Sequence, residues 1–196
     1  MRTWLFHPLI FYPLVILVAA AAIGFSLMPQ MLPRDPAPVA GFTEDGALVL
    51  AGDALGAPND PPQQNVTVAR DFWGRAQSLR IAVLPDQGAP QPSESGVRIL
   101  LEPQAAALLE GRGVTAEITY RPLPVNAASA LAVSLQGPGA APWVTQPIPP
   151  GQSGSVRFNL PAAQGIIAIG LRAVSGETGP LSYGVEIVSI RLVARN

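Results

Sequence analysis

From Leu9 to Met28 the chain runs for about twenty residues without a charged side chain. As an α-helix that length rises roughly 30 Å, the thickness of a bilayer's hydrocarbon core. The pattern predicts a transmembrane helix over residues 8–28. Pro8 and Pro13 fall in its first turns, where proline's missing amide donor costs least, and Pro29 and Pro33 close its far end. A cleaved secretory signal competes with this reading, with Arg2 as its basic start and Ala19 to Ala22 as the small residues of a cleavage site. Cleavage after Ala22 leaves Ile23, Gly24, Phe25, Leu27 and Met28 as an apolar new terminus, whereas an anchor uses the whole run.

Beyond Pro29 the pattern changes. Residues 29–41 are rich in proline and polar side chains and read as an extended tether. Short β-type runs follow: Ala47 to Ala51, then Val66 to Phe72 and Leu79 to Leu84, which can pair across Trp73-Gly74-Arg75. Val97 to Leu101 comes next. In Val114 to Tyr120 the apolar Val114, Ala116, Ile118 and Tyr120 alternate with Thr115, Glu117 and Thr119, the period of a half-buried strand. The same alternation passes through Leu131, Val133 and Leu135, through Val156, Phe158 and Leu160, and through Ile167, Ile169 and Leu171. The run Tyr183 to Val193 closes the chain. Only Pro103 to Glu110 looks helical, ended by Gly111. About eight to ten strands with Gly/Pro turns every ten residues or so form the pattern of a β-sandwich.

The expected fold class is therefore mainly β, a single N-terminal transmembrane helix followed by one antiparallel β-sandwich (jelly-roll) domain. Residues 1–7 form a short cytoplasmic tail, 8–28 the helix, 29–41 the tether and 42–196 a periplasmic sandwich. Arg2 and the terminal amine precede the span, and Arg34 beyond it is offset by Asp35, so the positive-inside rule places the large domain outside. The expected location is a bacterial inner membrane, crossed once. Trp4, Phe6, Phe11 and Tyr12 read as membrane-interface aromatics, with lipid as their partner. Ala19, Ala20, Ala22, Gly24 and Ser26 offer small side chains for packing against a partner's helices.

Composition narrows the chemistry. A formal charge of -1, from 12 basic and 13 acidic residues, provides no basic field to replace phosphate counterions, so nucleic acid is not expected as a partner. Every basic residue is arginine, and abundant alanine, glycine and proline read as a GC-rich bacterial coding bias. There is no cysteine and a single histidine, His7, so neither a thiol nor an imidazole pair exists to hold a metal or cofactor, and none is expected. The acidic residues are scattered without clustering. A Ser-His-Asp site would have to recruit His7, at the membrane, and no Gly-x-Ser-x-Gly or phosphate-binding loop occurs. An enzyme is not expected.

From about Val97 onward the order of features resembles the galactose-binding-like jelly roll of carbohydrate-binding modules. It is carried by the strands Gly113 to Tyr120, Leu131 to Leu135, Gly154 to Pro161, Ile166 to Ala173 and Gly184 to Val193, with Trp143 in a loop among them. The resemblance covers about half of the chain. It implies a sugar platform of aromatic rings with polar company, for which Trp73, Tyr120, Arg121, Trp143 and Tyr183 are the candidates, with Gln136 and Gln146 beside them. Some members of the fold also hold a structural calcium, for which Glu44 or Asp45 and Glu186 are the available oxygen ligands, although no acidic loop supports one. Two functions follow. The first is a non-catalytic accessory, assembly or stabilising subunit of a larger inner-membrane complex of respiratory or photosynthetic type, with integral-membrane protein partners. The other is an anchored carbohydrate-binding module of envelope or exopolysaccharide processing.

Overall fold

The structure is a computed structural model that describes residues 8–31, 35–59, 61, 64–84, 88–149, 151–175 and 181–195 and, within the first helix, the side chains of residues 11–25. Contacts divide the chain into two units, Met1–Pro33 and Arg34–Asn196.

The first unit holds helix α1, Pro8–Met31. Its described side chains are all exposed, Ala19, Ala20, Ala22 and Gly24 among them, and Phe11 and Tyr12 meet edge to face at 5.8 Å. Trp4, Phe6 and the side chain of Ser26 lie outside the described residues. Among the described residues no helix is long and apolar enough to cross a membrane. The transmembrane reading of residues 8–28 is corrected accordingly, and with it the single-pass inner-membrane location and the periplasmic placement of the remainder. The lipid and integral-membrane partners rested on that span.

The second unit is the expected antiparallel sandwich. Its larger sheet has seven strands: β1 (Phe42–Glu44), β2 (Ala47–Ala51), β3 (Gln64–Arg70), β4 (Ala76–Val83), β6 (Val114–Pro122), β9 (Gly154–Leu160) and β11 (Tyr183–Ala194). The long β11 organises it. One edge of β11 pairs with β6 along nearly its whole length. The other is shared, β4 taking Tyr183 to Ile187 and β2 taking Ser189 to Leu192, with a bulge between Ile187 and Ser189 on the β6 side. The smaller sheet runs β5 (Val97–Leu100), β10 (Ala168–Val174), β7 (Ala130–Gln136) and β8 (Val144–Pro147). A short helix α2, Pro103–Ala107, has its proline at the start, where the missing amide is harmless.

The core lies between the sheets. Leu48, Leu50, Leu79, Ile81, Ile118, Phe158, Ile187 and Ile190 face inward from the larger sheet, and Val97, Ile99, Leu131, Val133, Ile169 and Leu171 from the smaller. Each such side chain fully buried is worth about 1.5–3 kcal/mol, enough in sum to hold the sandwich without disulfides. The alternation of β6 continues into the structure as buried Val114, Ala116, Ile118 and Tyr120 against exposed or half-buried Thr115, Glu117, Thr119 and Arg121.

The two strands in the middle of the smaller sheet behave differently. Leu131 to Gln136 of β7 and Ala168 to Ala173 of β10 are buried at every position, so both of their faces are covered. The segment Gly88 to Gly96 lies across the outer face as a strap, held by side chains that point away from the core.

Candidate functional site

The polar residues of the larger sheet's outer face pair with one another. Arg157 and Ser155 reach Glu117, at 3.3 and 3.0 Å, and Arg80 lies 3.5 Å from Glu186, which also accepts a short bond from the Ser78 hydroxyl. Glu186 is thus occupied by an arginine and a serine. Glu44 and Asp45 are exposed around the β1–β2 turn, and among the described residues no group of three His, Cys, Asp or Glu side chains comes together to hold a metal.

The five platform candidates do not converge. Tyr120 is 3% exposed and points into the core, and Tyr183 is half-buried against it. Both are structural aromatics, because the inward face of β6 and the start of β11 have space that a large ring fills. Arg121 is exposed on the opposite face of β6 from Tyr120. Trp143 is half-buried: its indole N–H donates to the Gln91 carbonyl at 3.0 Å, and its ring packs on Gly96. Gln136 is buried and donates to the Ser95 carbonyl at 2.6 Å, whereas Gln146 is half-buried on edge strand β8.

Trp73 is the exception. It stands 79% exposed at the tip of the β3–β4 hairpin, beside Phe72 at 75%. The two rings meet nearly perpendicular, with centroids 5.3 Å apart and an interplanar angle of 83°. The turn beneath them is tightly made. One carboxylate oxygen of Asp71 accepts from the backbone N–H groups of both Trp73 and Arg75, each at 2.9 Å. The Asp71 N–H donates to the Arg75 carbonyl and the Gly74 N–H to the Asp71 carbonyl, again at 2.9 Å. The Arg70 guanidinium clamps the base, donating to the carbonyls of Gly74 at 3.2 Å and Gly56 at 2.7 Å. Aspartate at a turn start commonly bonds backbone amides two residues on, which is why this loop holds one shape. Exposed Arg75 and Gln77 flank the rings with polar groups. In sequence Phe72 ends the β-type run Val66 to Phe72, and nothing local marks its ring as exposed.

Sequence reasoning also missed the covered outer face of the smaller sheet. Cross-strand neighbours place Arg98, Gly170 and Ser134 in one row, and Arg172 and Ala132 in the next. Arg172 is 1% exposed, ion-paired with Glu94 through one guanidinium nitrogen and donating to the Gly88 carbonyl at 3.0 Å through the other. Gly170 leaves the dent in which the Gln136 amide and Ser134 hydroxyl sit, since a Cβ there would meet them at 2.2 and 2.6 Å. A cavity of about 60 Å³ opens beside the strap, lined by Ser93, Glu94, Ser95, Arg98 and Gln136 among others. The Arg98 Nε is buried without a hydrogen-bond partner among the described residues.

No family model matches the chain, and no curated protein sequence matches it. Solved structures similar to it include carbohydrate-binding modules. The CBM22-1 xylan-binding domain of Paenibacillus barcinonensis Xyn10C has 11% identity and a TM-score of 0.45, over 81% of this chain and 97% of that one. The CBM22-1–GH10 modules of Clostridium thermocellum endo-1,4-β-D-xylanase 10B, complexed with xylohexaose, have 10% identity and a TM-score of 0.43, over 76% of this chain and 28% of that one. The apo CBM1 of BiXyn10A has 11% identity and a TM-score of 0.39, over 74% and 97%. Such identities and scores carry no ligand over to this chain.

Proposed function

We propose that residues 42–196 form a non-catalytic carbohydrate-binding module of jelly-roll type, and that the Phe72–Trp73 turn is its contact surface. One observation supports this above the rest: two large aromatic rings, each about three-quarters exposed, stand on a turn whose backbone is fixed by the Asp71 carboxylate and the Arg70 guanidinium. Exposed aromatic pairs that a fold holds rigid are contact surfaces, because their apolar area costs free energy in water and little ordering entropy is lost on binding. The apolar face of a pyranose matches a flat indole, and Arg75 and Gln77 stand beside the rings to bond hydroxyl groups. The accessory-subunit reading depended on a membrane span and has no comparable support.

The test is retention on insoluble polysaccharides, followed by calorimetric titration with oligosaccharides of whichever polymer retains the protein. Trp73→Ala should weaken binding by about 2 kcal/mol, roughly thirtyfold, as for a central aromatic of an interface. Its melting temperature should stay within a degree or two of the parent, because the ring is 79% exposed. Retention unchanged by Trp73→Ala, or no retention on any polysaccharide, would refute the proposal.

A further inference from the structure

Among the described residues five hydrogen bonds hold the strap Gly88 to Gly96 over the smaller sheet, and all five run in the same direction. Arg172 donates from one nitrogen to the Glu94 carboxylate and from the other to the Gly88 carbonyl. Gln136 donates to the Ser95 carbonyl, Trp143 to the Gln91 carbonyl, and the Ala141 backbone N–H to the Pro92 carbonyl at 3.1 Å. In these five bonds the sheet and its Trp143 loop are the donors and the strap is the acceptor. A sixth donor, the Nε of the cavity-lining Arg98, has no partner among the described residues. The strap sequence Gly-Ala-Pro-Gln-Pro-Ser-Glu-Ser-Gly contains no large apolar side chain. Apart from the Trp143 ring on Gly96, its hold on the sheet is therefore polar, and lifting it uncovers groups that another acceptor-rich molecule can satisfy one for one. A buried ion pair is weak evidence of net stability, and its best-attested use is in registers and switches.

We infer that the outer face of the smaller sheet is a second binding cleft, for a uronate-bearing polysaccharide, and that the strap is its resident competitor with Glu94 in the place of the ligand's carboxylate. The inference takes from the preceding reading only that carbohydrate is the ligand class; it uses different residues on a different sheet. The geometry of the donors sets the chemistry. Arg172 offers a planar fork to a carboxylate, and Gln136, Trp143 and Arg98 offer single N–H groups to ring, ether or hydroxyl oxygens. A strap of nine residues spans up to about 30 Å, so the cleft fits a polymer rather than a single sugar. Neutral polysaccharides lack the anion that Arg172 needs in place of Glu94, and leaving that guanidinium buried and unpaired is costly.

The experiment compares the full chain with its Glu94→Gln variant, titrated with polygalacturonate oligomers and with neutral xylo-oligosaccharides. Glu94→Gln removes the competing charge without changing the size of the side chain. Its affinity for the uronate oligomers should rise about tenfold, with no gain for the neutral ones. Binding should also speed hydrogen exchange at the Ala141 amide, whose acceptor leaves with the strap. Adding Arg172→Gln to Glu94→Gln should abolish the gain. Should that double variant fail to fold, Glu94→Gln with Arg172→Lys, which keeps the charge but loses the fork, should show most of the loss. An unchanged affinity in Glu94→Gln, an equal gain for the neutral oligomers, or an unaltered Ala141 amide at saturation would overturn the inference. So would a glutamate-rich peptide binding as tightly as the uronate. Uronate binding that Trp73→Ala removes and Glu94→Gln leaves alone would assign the acidic polymer to the aromatic turn, and failure of Trp73→Ala to affect neutral polymers would leave this cleft standing.

Discussion

Gly170 shows how one missing methyl group permits the buried polar layer of the smaller sheet. A side chain there would enter the space held by the Gln136 amide and the Ser134 hydroxyl. Neither group has room to swing aside, because Gln136 is buried and its nitrogen is shared between the Ser95 carbonyl and Ser134. Gly170→Ala should therefore destabilise the sandwich by about 1–3 kcal/mol, the usual cost of overpacking. For a domain of this size that corresponds to a fall of about 3–10 °C in melting temperature. A thermal melt within a degree of the parent would show that the layer is looser than its distances say. The sequence pointed the other way at these positions. Isoleucine, glycine and leucine before Arg172 read as an aliphatic strand, and nothing local marks the arginine as buried, since its covering strap lies some eighty residues earlier in the chain. The burial of Tyr120 and the half-burial of Trp143 were illegible for the same reason. An aromatic side chain looks alike in sequence whether it ends in a core, under a strap or in water, and Trp73 stays out because it sits within the tight β3–β4 turn.

Individual strands were more legible than individual contacts. Where one face is solvated the period of two survives, and β6 and β9 lie where the alternation of Val114 to Tyr120 and of Val156 to Leu160 placed them. The hairpin of β3 and β4 also pairs across Trp73-Gly74-Arg75 as its spacing suggested. The strands that escaped notice are β1 and β8, three and four residues long, lacking a buried side chain and lying at the ends of their sheets. An edge strand with one neighbour needs no apolar face, and Pro147 is tolerated in β8 because edge positions can do without a ladder donor. The division of β11 between β4 and β2 along one edge depends on where two distant strands end, which no local pattern encodes. The β3–β4 hairpin also carries a test of its own. Asp71→Ala removes the oxygen that accepts from the Trp73 and Arg75 amides, leaving both to water. A loss of about 1–2 kcal/mol is expected, together with faster hydrogen exchange at those two amides and weaker polysaccharide retention, since the rings lose their fixed pose. Full retention with unprotected amides would mean that rigidity of the turn is irrelevant to binding.

At the scale of the whole molecule, the long apolar run and the alternating strands describe two kinds of polymer in one chain, and contacts separate them near Pro33. The run is helical, as its composition of alanine, leucine and isoleucine suggests, yet length of helix and passage through a membrane are separate propositions, and only the first holds among the described residues. The sandwich is self-sufficient by a different argument. The members of its core run from Leu48 to Leu192, all within Arg34–Asn196. About 160 residues is a size at which a domain buries roughly 70% of the surface its unfolded chain exposes, so no staple, metal or second chain is required for stability. Both strands that bracket the sequence of the sandwich, β2 near its start and β11 at its end, pair directly. Cooperativity therefore extends across the unit instead of fading toward a terminus. A chain beginning at Arg34 should accordingly show a far-UV spectrum dominated by β-structure and one calorimetric transition, with equal calorimetric and van't Hoff enthalpies. A broad, non-cooperative melt of that shortened chain would mean that residues before Arg34 take part in the folding unit, and the boundary drawn by contacts would have to move toward the N-terminus.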